Sequence, residues 1–233
     1  MKINLLILLR ELLFVINTMK YRAFLFDLDG VIVDTARYHY EAWKRLADEL
    51  DIFFDEASNE AFKGVSRMRC MELLSQWGGL TLSDKEMSFY ANRKNDWYVE
   101  MLSTLDAGEL LPGSLDVLER AAALGIKTAI CSASKNTHTI LSQLGISHHF
   151  ASIIDGNRTQ KAKPDPEAFL LAVAELEVEK DDCVIFEDAE AGAQAGKKEG
   201  IYVVGIGKKE NILSADIHIP DLAHLDMDLL LAL

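Results

Sequence analysis

Cysteine is scarce in this sequence, and the three that occur, Cys70, Cys131 and Cys183, are far apart and never in CxxC spacing. An odd, scattered set excludes a disulfide framework and gives no structural zinc signature. A reducing cytoplasm is therefore the expected setting, with Cys131 and Cys183 read as small buried core residues because each lies in an apolar run. Positive charge is also in deficit: 24 Lys and Arg face 37 Asp and Glu, a formal net charge of −13 with a pI near 4.9. Nucleic acids and anionic membranes are polyanions, so neither is expected as a partner. An anionic substrate would have to meet a local cationic pocket. Long apolar runs are missing too. The nearest to one is Met1 to Thr18, and Arg10 and Glu11 interrupt it. It is too short and too charged to span a bilayer, and no A-x-A-like cleavage site precedes Met19. Residues 1–18 read as an over-extended start or an appended amphipathic helix. There are no internal repeats or low-complexity tracts.

What the chain does have is hydrophobic mass, 49% of 233 residues with 26% charged, enough for one substantial core and a smaller accessory unit. Short β-rich apolar runs alternate with longer helical patterns, the signature of βαβ units around a buried parallel sheet. The expected strands are AFLF at Ala23 to Phe26, KTAICS ending at Ser132, ASIID ending at Asp155, CVIFED ending at Asp188, and YVVGIG at Tyr202 to Gly207. Leu115 to Leu124, Thr137 to Leu144, Pro166 to Leu176 and Ala189 to Glu199 read as helices, three of them stopped by Gly125, Gly145 and Gly200. The expected fold class is α/β, a doubly wound parallel sheet of Rossmann-like type. From Thr35 to Gly108 only helix-like patterns occur, and LLPG at Leu110 to Gly113 returns the chain to the core. The predicted division is therefore an α/β core of residues 19–34 and 109–233 with an all-helical cap of residues 35–108 inserted after the first strand.

The chemistry gathers at strand ends. The first apolar run stops at Asp27, and Asp29, two residues on, faces the same side while the backbone stays extended. Gly30 then permits a sharp turn. Two neighbouring carboxylates repel unless a cation or shared proton relieves them, which suggests a Mg²⁺ site or a nucleophile beside an acid/base. Taken alone, the same residues could form a turn or helix cap. The later strand ends add to the pattern. One delivers Ser132, followed by Ala133, Ser134, Lys135 and Asn136 at a helix start suited to phosphate. The loop QKAKPDPEAF brings Lys163, a cation for an oxyanion, and the fourth strand ends in Glu187 and Asp188, a second acidic pair suited to a hard cation.

In chain order, FDLDGVIVDT, CSASKN, KAKPDP and IFEDAEAG resemble the haloacid dehalogenase superfamily, over essentially everything from Met19 onward. The resemblance implies that Asp27 is a phosphorylated nucleophile and Asp29 the general acid/base. It also implies a Mg²⁺ held by Asp27, Asp29 (through its backbone carbonyl), Glu187 and Asp188, with Ser132 and Lys163 gripping the phosphoryl group. A carboxylate attacks phosphorus only if charge repulsion is offset, which the metal and Lys163 would do.

Within the superfamily, TARYHYEAWKRLA, FKGVSR, RKNDWYVEML and SASKN are similar to the β-phosphoglucomutase group. That likeness implies a sugar phosphate as substrate, a monomer, and a mobile cap hinged near Asp34 and Thr35. It places Thr35, His39, Lys63, Gly64, Val65, Ser66, Arg67 and Lys94 around the substrate with Ala133 and Lys135, and makes Arg67, Ser134 and Asn136 the site of a second phosphate. Trp43 and the tyrosines flanking His39 read as packing. Ala189 departs from the group, where a serine can follow the acidic pair. Two other readings stay open: a small-molecule phosphatase with the same core, and a receiver-like phospho-switch, against which the DxD spacing and the insert both stand.

Overall fold

The computed structural model describes residues 19–62 and 65–233; the amino-terminal stretch, Lys63 and Gly64 lie outside the described residues. Six strands form one wholly parallel sheet: β1 (Ala23–Phe26), β2 (Lys127–Cys131), β3 (Ser152–Ile154), β4 (Cys183–Glu187), β5 (Tyr202–Ile206) and β6 (Ile217–Ile219). Their order is β3-β2-β1-β4-β5-β6, with Ala23 registered against Lys127 on one side and Cys183 on the other. The chain therefore builds outward from β1 in one direction and then restarts beside it in the other. Ligands of such sheets bind where the order reverses, at the carboxyl ends of β1 and β4.

Both faces of the sheet are covered, which is why the strands read as continuous apolar runs rather than alternating ones. Phe24, Phe26, Val184 and Phe186 face a layer containing Val117 and Leu118 of α5 (Ser114–Ala123) and Ile140 and Leu141 of α6 (Thr137–Gln143). Leu25, Cys131, Cys183 and Ile185 face Phe169 and Ala172 of α7 (Glu167–Leu176) and Ala193 of α8 (Glu190–Lys198). Phe26 stacks on Phe186 with ring centroids 4.7 Å apart directly beneath the site, and truncating a ring so buried costs about 3–5 kcal/mol. All three cysteines are buried, and burial pushes the Cys70 and Cys183 thiols up to about 12, so they are packing groups.

Between β1 and α5 the described residues form helices and no strands: α1 (Ala36–Glu49), α2 (Glu56–Glu60), α3 (Arg67–Trp77) and α4 (Asp84–Leu102). Their starts follow local chemistry. Asp55 accepts from Ser58 N at 2.8 Å, and Ser83 with Glu86 forms a reciprocal capping box at the head of α4. Trp43, Leu46, Phe54, Phe62, Met71 and Leu74 give this stretch its own hydrophobic cluster. The segments leading out and back run side by side, since Asp34 N donates to Glu109 O at 2.8 Å and Val33 bridges Leu110. Tyr38 is more than packing there, because its hydroxyl donates to Glu109 at 2.9 Å.

Two elements went unread in the sequence: β6 and α9 (Met227–Leu231). Strand β6 is only three half-buried residues at the sheet edge, with His218 between two isoleucines, so it carries no run long enough to register as a strand.

Candidate active site

Strand β1 hands its last apolar residue to Asp27, whose N–H donates to Phe186 O at 2.9 Å and so stays in register over the end of β4. Two residues further, Gly30 turns with φ +84°, and a Cβ there would lie 2.3 Å from Oδ2 of Asp188. Only glycine meets both demands, and the turn closes the first acidic pair onto the second. The side chains of Asp27, Glu187 and Asp188 offer oxygens that all lie within 4.8 Å of one another. Gly192 in the first turn of α8 makes room for Glu187, since a Cβ there would sit 1.6 Å from its Oε1.

Lys163 is inserted into this cluster, its Nζ donating to Asp27 Oδ1 at 2.6 Å and to Glu187 Oε1 at 2.9 Å. Burial alone would depress the lysine, but the charges of Asp27 and Glu187 hold it well above its ordinary value, so it remains a cation. One lysine does not neutralise three carboxylates. Burial, and then the charge of Asp27, push the Glu187 carboxyl well above the usual range. Its Oε2 is buried with no hydrogen-bond partner. A concentrated set of carboxylate oxygens with one orphaned acceptor is the donor chemistry that suits a hard divalent cation such as Mg²⁺.

Asp29 does not join that set through its side chain. Its carboxylate accepts from the hydroxyl of Thr35. Burial, then the neighbouring charges of Asp27 and Asp188, push it up to about 8, so at neutral pH it holds a proton that it can donate. Thr35, expected near the substrate, is fully buried behind the cavity lining, with its hydroxyl bonded to the acid/base. On the insert side, Lys94 Nζ donates to His39 Nδ1 at 2.8 Å. Burial, with the charges of Lys94 and Arg67, lowers His39 well below the ordinary histidine value, and burial brings Lys94 down to about 7. His39 is thus held in its neutral form, with its ring stacked 4.0 Å from that of Tyr98.

One cavity of about 390 Å³ joins these groups. Its core wall carries Asp27, Asp29, Asp188, Lys163 and the loop Ser132, Ala133, Ser134, Lys135 and Asn136, and its other wall carries His39, Val65, Ser66, Arg67 and Lys94. Glu187 lies behind Lys163, outside the lining, and Lys63 and Gly64 lie outside the described residues. Trp43, read as packing, is buried edge-on against Phe62 and also contributes to the lining. Sequence reading missed Asn92, Asn95, Thr159, Gln160 and Lys161, all lining residues. The first two flank Lys94 in NRKN and the others precede Lys163 in TQKAK, so proximity to a motif residue was their available signal.

The haloacid dehalogenase-like hydrolase model matches residues 21–200, which include every strand-end residue described above. The chain belongs to the haloacid dehalogenase-like hydrolase family. It is 40% identical over 211 residues to a β-phosphoglucomutase of Bacillus subtilis, covering 90% of this chain and 93% of that protein. It is 29% identical to an Escherichia coli fructose-1-phosphate phosphatase over 80% of this chain and 97% of that one. Among solved structures, a β-phosphoglucomutase from Clostridium difficile superposes with TM-score 0.87 at 36% identity, covering 90% of this chain and 95% of that one. Membership of this family, with the helical insert after β1, leaves the receiver-like reading without support. At position 189 the alanine sits at the N-cap of α8 and makes no side-chain capping bond, so the departure from serine removes one hydroxyl beside the acidic pair. Among the described residues no helix is long and apolar enough to cross a membrane.

Proposed function

We propose that the chain interconverts β-D-glucose 1-phosphate and D-glucose 6-phosphate through an aspartyl phosphate on Asp27 and a glucose 1,6-bisphosphate. The observation that carries this reading is that a single cavity is lined by Lys163 and Ser132 beside Asp27 and also by Arg67 on its other wall, with Ser134 and Asn136 in the same lining. A mutase must bind a bisphosphate in either orientation, and cations on both walls of one cavity suit it. The cavity volume is in the range of small-molecule sites.

In this reading an Asp27 oxygen attacks phosphorus in line, the P–O bond to the sugar breaks, and Asp29 gives its proton to the departing sugar oxygen. Lys163 and Ser132 hold the transferring oxygens. In the return step Asp29 takes the proton from the other sugar hydroxyl as that oxygen attacks phospho-Asp27. Asp27, Glu187, Asp188 and the Asp29 carbonyl would hold Mg²⁺, which offsets charge between carboxylate and phosphate. Residues 35–108 act as a cap, and closure brings Arg67, His39 and Lys94 over the sugar and excludes water.

The likeness to the E. coli fructose-1-phosphate phosphatase supports a second reading, in which water takes the place of the sugar hydroxyl at phospho-Asp27. One experiment separates the two. The protein is supplied with β-glucose 1-phosphate, Mg²⁺ and a trace of the bisphosphate, and glucose 6-phosphate is scored against free phosphate. Predominant free phosphate would overturn the mutase assignment in favour of the phosphatase.

A further inference from the structure

Asn136 occupies the N-cap position of α6, where an asparagine side chain ordinarily accepts from the helix's first free N–H groups, yet it makes no such bond. Its amide is turned away from its own helix and across the cleft, where Nδ2 donates to Oδ1 of Asn95 on α4 at 2.9 Å. The loop that carries it is otherwise tied to the core: Gly156 N donates to Ser134 O at 3.1 Å, and Asn157 Nδ2 to Lys135 O at 3.1 Å. Asn95 thus joins this loop to the helical insert through a side-chain bond.

One turn earlier on α4, Asn92 Oδ1 faces Nη1 of Arg67 at 3.4 Å. Residues three apart share a helix face, so a single face of α4 presents two amide oxygens, one toward each side chain assigned to the distal phosphate. An amide NH₂ has two hydrogens. With one held by Asn95, the orientation of the Asn136 amide is fixed and its second N–H is left for a phosphate oxygen. Because Asn95 is neutral, it fixes this donor without placing a negative charge beside the anion.

We infer that Asn95 is a positioning residue, which sets the Asn136 amide for the distal phosphate of a sugar bisphosphate and clasps the insert to the core in the closed arrangement. The inference rests on the proposed mutase reading for its substrate, but the clasp itself does not depend on it. Losing a contact that aids ground state and transition state alike raises KM and leaves kcat nearly unchanged.

The test uses the full chain with Mg²⁺, comparing wild type, Asn95→Ala, Asn95→Asp, Asn136→Ala and the double alanine variant. Asn95→Ala should raise KM for β-glucose 1-phosphate about tenfold with kcat within about twofold, the size expected from one hydrogen bond. In the Asn136→Ala background the same change should add less than about twofold, because both act through one bond. Hydrogen exchange of the free protein should quicken at residues 132–137 in Asn95→Ala and not at the hinge, residues 33–35. Asn95→Asp keeps the acceptor and should keep that protection while still raising KM, through charge. Unchanged exchange at residues 132–137, or fully additive effects of the two alanines, would overturn the inference. A wild type that yields only free phosphate would instead remove the mutase reading, with the exchange comparison still deciding the clasp.

Discussion

Replacing Lys163 with methionine isolates the electrostatics of the site from its shape, since methionine fills a similar volume without the charge. The lysine bridges Asp27 and Glu187 at 2.6 and 2.9 Å, and side-chain exposures of 3%, 8% and 0% put the triad out of bulk water. An exposed ion pair is worth at most ~1 kcal/mol, but removing one partner of a buried pair leaves an uncompensated charge and costs about 3–5 kcal/mol. For a chain of this size that is a fall in Tm of roughly 8–15 °C. The loss should show in full in chelator. A divalent ion competes with the ammonium for the same carboxylates, so Mg²⁺ should stabilise the variant more than the wild type. Saturation at one hundred times Kd supplies about 2.7 kcal/mol. Thermal unfolding followed by circular dichroism, with chelator and with Mg²⁺, measures both quantities. A variant within about 1 kcal/mol of wild type in chelator would refute the buried triad. Equal stabilisation of both proteins by Mg²⁺ would refute the placing of metal and lysine on shared ligands.

Other perturbations test other parts of the site. Asp27→Asn should abolish acid-quenched phosphoenzyme, whereas Asp29→Asn should still form it while slowing proton transfer to the sugar oxygen; label persisting in Asp27→Asn would exclude Asp27 as nucleophile. Arg67→Ala should cost about 3 kcal/mol, roughly a hundredfold in kcat/KM for the mutase step, with phosphorylation of Asp27 by acetyl phosphate retained; an unchanged isomerisation rate would move the distal site elsewhere. Burial lowers Lys94 to about 7 from 10.5, so the unfolded chain keeps a proton that the folded chain releases between those values, and stability should rise with pH across that window and be flat below it. Lys94→Met should flatten the rise and gain roughly 4 kcal/mol near pH 7, measured by urea unfolding; an unaltered pH profile would show the lysine to be solvated.

The parts of the molecule legible in sequence are those where chemistry and backbone coincide. AFLF reads as a buried strand because Ala23, Phe24, Leu25 and Phe26 are all fully buried, and its bounds agree with β1 to the residue. Asp27, Ser132 and Glu187 with Asp188 stand out because each follows or ends such a run. What could not be read depends on contacts between distant segments. The Thr35 hydroxyl serves Asp29 because the turn at Gly30 brings the chain back on itself, and nothing in the spacing from 29 to 35 distinguishes that from a substrate contact. Asn95 bonds a residue 41 positions away, and no local pattern marks an asparagine for that role. Strand β6 is fixed by pairing of Val204 with Ile217 and Ile206 with Ile219 rather than by any apolar run of its own.

The charge distribution connects the opening inference from composition to the site. A chain of net charge −13 repels phosphate monoesters at long range, so binding depends on where its 24 cationic residues lie. Arg67, Lys135, Lys161 and Lys163 line the cavity together with Lys94, whose charge burial weakens, against Asp27, Asp29 and Asp188. Burial pushes Asp29 toward its neutral form, and bound Mg²⁺ would offset much of the charge of Asp27 and Asp188. The cavity is then locally cationic within an anionic protein. Low-dielectric walls strengthen that field toward a bound phosphate, while salt at physiological strength screens the surface repulsion beyond about 8 Å. Two consequences follow for phosphate binding. Its approach should speed up as salt rises at low ionic strength, because the repulsive surface is screened before the buried cations are. Once bound, it is held by groups that salt reaches poorly, so the rate of release should change much less than the rate of association. A nucleic-acid-binding protein shows the opposite salt response, since its exposed cations attract from a distance.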